Sequence, residues 1–110
     1  MASSSPSGLV KQIEIQVNLI LRKTDLAGFN EKGRKAVAEL RQFLADAKIY
    51  SHVYELSEMR EEQMENANKA KKYLEKARQC ILRASEFNIF GAIDVAHLTA
   101  QIDQLKADLK

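Results

Sequence analysis

The side chains best suited to chemistry in this chain are acidic residues and its two histidines. His52 stands three residues before Glu55, and Asp94 stands three residues before His97. Bundles of four helices that hold two metal ions use such pairs, in the order carboxylate then histidine, from two helices. Only the pair at 94 and 97 has that order. Four glutamates recur at helical spacing outside every apolar stripe: Glu58, Glu61, Glu62 and Glu65. We therefore predict a solvated acidic face, with no metal and no cofactor.

A second candidate is GFNEKGRK, residues 28–35, where two glycines and three basic residues precede a predicted helix. Backbone amides at a helix start can hold an anion. A P-loop, however, has lysine where this chain has Arg34, and serine or threonine where it has Lys35. The spacing therefore favours an ordinary turn between helices.

Nucleophilic chemistry has little support in the sequence. Cys80 is the only cysteine, so an internal disulfide is excluded. It stands beside Ile81 in a predicted apolar stripe, which favours a small buried residue over a reactive thiol. No G-x-S-x-G motif or active-cysteine signature is present. We predict no catalytic residues and a protein that is not an enzyme.

Basic residues suggest an alternative function in nucleic-acid binding. The net charge is only +2, but cations gather at the start of the second predicted helix and along the third. Such a stripe can contact phosphates. Tyr73 is the only aromatic residue within the block, so base stacking has weak support. The residues of this alternative are Lys32, Arg34, Lys35, Lys69, Lys72, Lys76 and Arg83.

The elements that must position these residues are helices. From Arg34 to Phe90 the chain has no glycine or proline, which is typical of long helices. We predict segments at about 9–25, 30–54, 57–87 and 92–110, with the middle two either separate or continuous. Asn30 would cap the second segment, and Ser57 would begin the third. Apolar residues recur at steps of three and four. The stripes are Val37, Leu40, Leu44, Ala47 and Tyr54; Ala67, Ala70, Leu74, Ala77, Ile81 and Ala84; and Leu98, Ile102, Leu105 and Leu109.

The segment IEIQVNLIL, residues 13–21, fits two structures. As a strand it has one misfit, Ile20; as a helix it has two, Ile15 and Leu19, which share the side away from the core. A strand needs a pairing partner, and the only other β-rich piece lies inside a helical pattern. We therefore favour a helix whose second apolar stripe is either central in the bundle or the surface where two chains meet.

The sequence predicts an all-α fold, a small antiparallel bundle of three to four helices. Residues 1–8 would form a disordered tail, and residues 9–110 a single domain. The start lacks the features of a secretory signal, and no apolar run could span a membrane, so a cytoplasmic location is expected. We predict a non-enzymatic assembly module that forms a homodimer, with a larger protein as a second kind of partner. The predicted interface residues are Ile13, Ile15, Val17, Leu19 and Leu21.

Overall fold

The computed structural model describes residues 5–109 and has four α helices there, with no strand. The helices are α1 (Pro6–Arg22), α2 (Glu31–Leu56), α3 (Arg60–Glu86) and α4 (Ala92–Asp108), and a short 3-10 turn covers Leu26–Gly28. The predicted all-α bundle is confirmed. None of the described helices is both long and apolar enough to cross a membrane.

IEIQVNLIL lies within α1, so its alternation of apolar residues does not form a strand. Val10, Ile13, Val17 and Leu21 recur every three or four residues and are all buried in the core. The helix also begins earlier than predicted, because Ser5 caps it and Pro6 occupies its first turn, where a missing N–H costs nothing. Residues 6–8 are thus helical, and residues 1–4 of the predicted tail lie outside the described part of the chain.

The hairpin of α2 and α3 is the longest packed pair. Asn30 caps α2 as predicted, accepting a hydrogen bond from the Lys32 N–H at 2.8 Å. Ser57 was expected to begin α3, but it ends α2: its Oγ donates to the Val53 carbonyl at 2.7 Å. The backbone at Ser57 is extended, so α2 and α3 are separate helices, and α3 begins at Arg60.

Side-chain pairs give the direction of each helix. Glu39 meets Arg83 at 3.3 Å and Tyr50 stacks on Tyr73, so α2 and α3 are antiparallel. Two contacts in each case also make α1 antiparallel to α2 and α3 antiparallel to α4: Ser7–Glu55 with Glu14–Lys48, and Glu75–Lys106 with Arg78–Asp103. The predicted stripes all enter the core except Tyr54, which is half-buried. Alanine at four of the α3 positions lets α2 and α3 approach closely.

Two local features lie at the end of the bundle where α3 ends beside the start of α2. Asn88 has a φ of 63° and ends α3 in a Schellman motif, with Ile89 N–H donating to the Ala84 carbonyl. Ile89 then packs against α2 at Gly33, where an added Cβ would lie 2.9 Å from the Ile89 Cδ1 atom. Position 33 is a glycine because α2 and the turn after α3 are in direct contact there, which leaves no room for a Cβ atom.

Candidate functional site

The predicted interface residues fall into two groups. Ile13, Val17 and Leu21 are 1–4% exposed and belong to the core, so their assignment to an interface was wrong. The helical period turns them toward α2 and away from the surface. Ile15 and Leu19 are 49% and 48% exposed. The second apolar stripe of α1 therefore lies on the outside of the bundle.

The neighbouring surface of α2 is also apolar. Ile49, Val53 and Leu56 are 57%, 40% and 67% exposed and recur at helical spacing. A groove of about 440 Å³ separates this row from α1 and is lined on the α1 side by Gly8 and Lys11. We call the exposed sides of these two helices the α1–α2 face. The sequence analysis did not predict the α2 half of this face. It assigned Ile49, Val53 and Leu56 to a helix but placed them outside its apolar stripe.

Charges on the α1–α2 face are mostly basic. Lys48 bridges the two helices to Glu14 at 2.8 Å. Lys11, Arg22 and Arg41 are all exposed on these helices, whereas Glu14 is the only acidic residue of α1. An apolar stripe with cations beside it matches a surface that binds another protein, since exposed apolar patches commonly mark such sites.

A serine, a glutamate and a histidine meet at the end of the groove. Ser7 donates to Glu55 twice, from its backbone N–H at 2.6 Å and from its Oγ at 3.0 Å. The Nδ1 atom of His52 lies 3.7 Å from the same carboxylate. In a hydrolase triad the histidine stands between serine and acid, so that it can take the serine proton. Here the carboxylate stands between them, and Glu55 instead supplies an acceptor to the first turn of α1.

The other candidate pair lies on a different groove. Asp94 and His97 line a cleft of about 200 Å³ between α1 and α4, together with Leu19 and Ile20. His52 belongs to the groove between α1 and α2 instead. Within residues 5–109 the structure has no group of three or more His, Cys, Asp and Glu side chains arranged to hold a metal ion.

The basic residues of α3 lie against aromatic rings. Lys69 sits 5.4 Å from the centre of the Tyr50 ring, and Lys76 sits 5.5 Å from that of Phe43. Tyr73 is stacked on Tyr50 at 5.6 Å, with Lys72 over its ring at 5.9 Å. In the sequence this block has a single aromatic neighbour, because the other two rings come from α2 and become adjacent only in the hairpin. All three rings are partly buried.

The remaining basic residues of the alternative lie toward the end of the hairpin where α2 begins and α3 ends. Arg83 is paired with Glu39 at 3.3 Å. Lys32, Arg34 and Lys35 are exposed in the first turns of α2. GFNEKGRK follows helix α1 and contains the start of α2, with its second glycine buried in packing. It is therefore an interhelical connection, and no strand precedes it as a P-loop requires.

Two groups have shifted pKa values, and neither lies on the α1–α2 face. Burial raises the pKa of the Cys80 thiol, which is fully enclosed in the core and so is a poor nucleophile. Hydrogen bonds donated by Lys106 and then by Gln79 hold the pKa of Glu75 below its ordinary value. Both groups serve the structure of the bundle.

Comparison with known proteins adds no relative: no family model, curated protein or solved structure matches this chain.

Proposed function

We propose that this chain is a non-enzymatic helical assembly module of the cytoplasm, which works by associating with a second copy of itself through the α1–α2 face. One observation carries the proposal: the four helices bury a shared core, yet Ile15 and Leu19 of α1 remain half exposed. Burial of apolar surface drives most protein association, at about 25 cal/mol per Å². A larger protein could use the same face.

The size of the face is sufficient for a stable contact. The 26 residues of α2 rise by about 39 Å and the 17 residues of α1 by about 26 Å, and each helix is about 10 Å wide. The projected area is therefore about 650 Å² per partner, and two such surfaces reach the lower end of the roughly 1,200–2,000 Å² buried in stable interfaces. The pair at 15 and 19 would occupy its centre, and the apolar row at 49, 53 and 56 would lie toward the C-terminal end of α2.

The experiment is to measure how fast a thiol on this face reacts as protein concentration rises. Gln12→Cys places the thiol one helical turn from Ile15, and Met64→Cys places a control on α3, where the native side chain is 50% exposed. The buried Cys80, whose pKa is raised, reacts slowly by comparison. Association through the α1–α2 face predicts that the thiol at 12 becomes protected with concentration while that at 64 does not. Equal, concentration-independent rates at both positions contradict the proposal.

A second candidate function is nucleic-acid binding along the α2–α3 hairpin. The observation that favours it is the row of Lys69, Lys72 and Lys76 over three aromatic rings. Because these lysines cover the rings, contact with phosphates is favoured over base stacking. Binding to duplex DNA or RNA should weaken steeply with salt and be lost in Lys72→Glu with Lys76→Glu. No binding at low salt would refute it.

A further inference from the structure

The two ends of the bundle have opposite charge. At the tip of the α2–α3 hairpin, residues 55–65 contain five acidic side chains and one basic one. At the other end, residues 22–35 contain five basic side chains and two acidic ones, and Glu86 and Asp94 beside the turn between α3 and α4 add two more acidic ones, which leaves a net charge of +1. The bundle is 48 Å long, so these ends are separated by several Debye lengths at physiological salt. Each end can therefore act on a partner as a separate charged patch.

The apolar pair on α1 lies halfway between these ends. Val17, which stands between Ile15 and Leu19, lines the same cleft as Leu44 of α2. Residue 44 is at the middle of α2, which spans Glu31–Leu56. A two-fold axis perpendicular to the helices at this level would place Ile15 of one copy against Leu19 of the other, and the reverse.

We infer that two copies of this chain associate antiparallel through the α1–α2 face, with the acidic hairpin tip of each copy against the basic end of the other. This inference rests on the proposed function and adds the orientation of the partner. The tip supplies Glu58, Glu61 and Glu62, all exposed; the basic end supplies Lys32, Arg34 and Lys35, also exposed.

Charge complementarity selects this orientation over the parallel one. An antiparallel pair brings each tip near cations of the partner copy, whereas a parallel pair would set three glutamates against the same three glutamates. Like charges placed together oppose association and suppress the wrong arrangement. The centre of the outward stripe of α1 carries no charge, so the choice of orientation falls to the ends: the stripe is Gly8, Gln12, Ile15, Leu19 and Arg22, spaced by four and three residues.

Charge reversal tests the contact between the ends. Glu58→Lys with Glu61→Lys and Glu62→Lys should weaken the homodimer at least about tenfold in Kd, since attraction between exposed charges is replaced by repulsion at both ends of the pair. Adding Lys32→Glu, Arg34→Glu and Lys35→Glu to the same chain should restore the Kd, because the swapped ends are again complementary. Glutamine at the three tip positions is the matched neutral control and should give an intermediate Kd.

A distance measurement tests the orientation without altering either charged end. A spin label on Met59→Cys, at the tip where the native side chain is 61% exposed, reports the separation of the two tips. The antiparallel dimer predicts a separation near the 48 Å bundle length. A parallel dimer would bring the labels within about 20 Å, because packed helices lie about 8–10 Å apart.

The outcomes separate the inference from the proposed function. A dimer with closely spaced tips, or one whose Kd is unchanged by reversal of the tip charges, overturns the antiparallel arrangement and leaves self-association standing. A strict monomer overturns both. A long tip-to-tip distance together with recovery of the Kd in the swapped chain supports both.

Discussion

Replacing Ile13 and Ile15 separately by alanine should lower stability by very different amounts, although the two residues are identical and only two positions apart. The Ile13 side chain is 1% exposed in the core of the bundle, and that of Ile15 is 49% exposed on the α1–α2 face. A strand would place both on one side of the chain and predict similar losses. The helix predicts a large loss at position 13 only.

The magnitude follows from burial. Ile13→Ala removes three buried carbon groups, worth about 0.8 kcal/mol each in transfer, and leaves a cavity, for a total loss of about 3–4 kcal/mol. At position 15 about half of the transfer energy is already forgone, little cavity forms, and alanine is the better helix former. The expected loss there is below about 1 kcal/mol. A chain of this size is stable by about 5–15 kcal/mol, so only the first loss is severe.

The assay is equilibrium unfolding in urea at two protein concentrations, with both variants compared to wild type. The loss in Ile13→Ala should be the same at both concentrations, because it belongs to the folded chain. The loss in Ile15→Ala should grow with concentration, because stabilisation by a partner copy depends on mass action. Equal losses at the two positions, or a larger loss at 15, would refute this account of α1.

Three further changes test other parts of the structure. Asn88→Ala should lower the free energy of unfolding by about 1 kcal/mol because of the positive φ at that residue, whereas Asn88→Gly should not; thermal or urea unfolding compares the two. Ser51→Ala should raise the free energy of unfolding by about 1 kcal/mol, since the buried Oγ of Ser51 has no hydrogen-bond partner in the described part of the chain. A decrease in the free energy of unfolding of more than about 1 kcal/mol would show instead that this hydroxyl is hydrogen-bonded. Lys106→Met should raise the pKa of Glu75, which NMR titration of its carboxyl carbon measures. Because the pKa of Glu75 is lowered in the folded state, the stabilisation by this pair is present at neutral pH and is lost on acidification. An unchanged pKa in the variant would contradict the pairing.

The core could be predicted from the sequence because its signal is local. The stripe of α3 consists of Leu74, Ile81 and four alanines that recur in steps of three and four, and every residue of it is buried. Asn30 was recognisable as a cap, since a side chain that accepts a hydrogen bond two residues ahead needs no tertiary context.

Other features depend on contacts that the linear pattern does not contain. The strand-like alternation of α1 was ambiguous because its exposed side is apolar, so both periods fit; the absence of a pairing strand decided between them. The rings beside Lys69 and Lys76 belong to another helix and become neighbours only when the hairpin closes. Ser57 was assigned to the wrong helix, because a serine that bonds back to Val53 and one that caps the next helix look alike in sequence.

The measurement that tests self-association most directly is the absolute molar mass in solution, by light scattering behind a sizing column. Wild type is compared with Ile15→Glu combined with Leu19→Glu, and helical content by circular dichroism serves as the control for folding. The account predicts a wild-type mass of twice the 12.4 kDa chain and a folded monomer for the double variant. A wild type that stays at 12.4 kDa over a hundredfold range of concentration would contradict it.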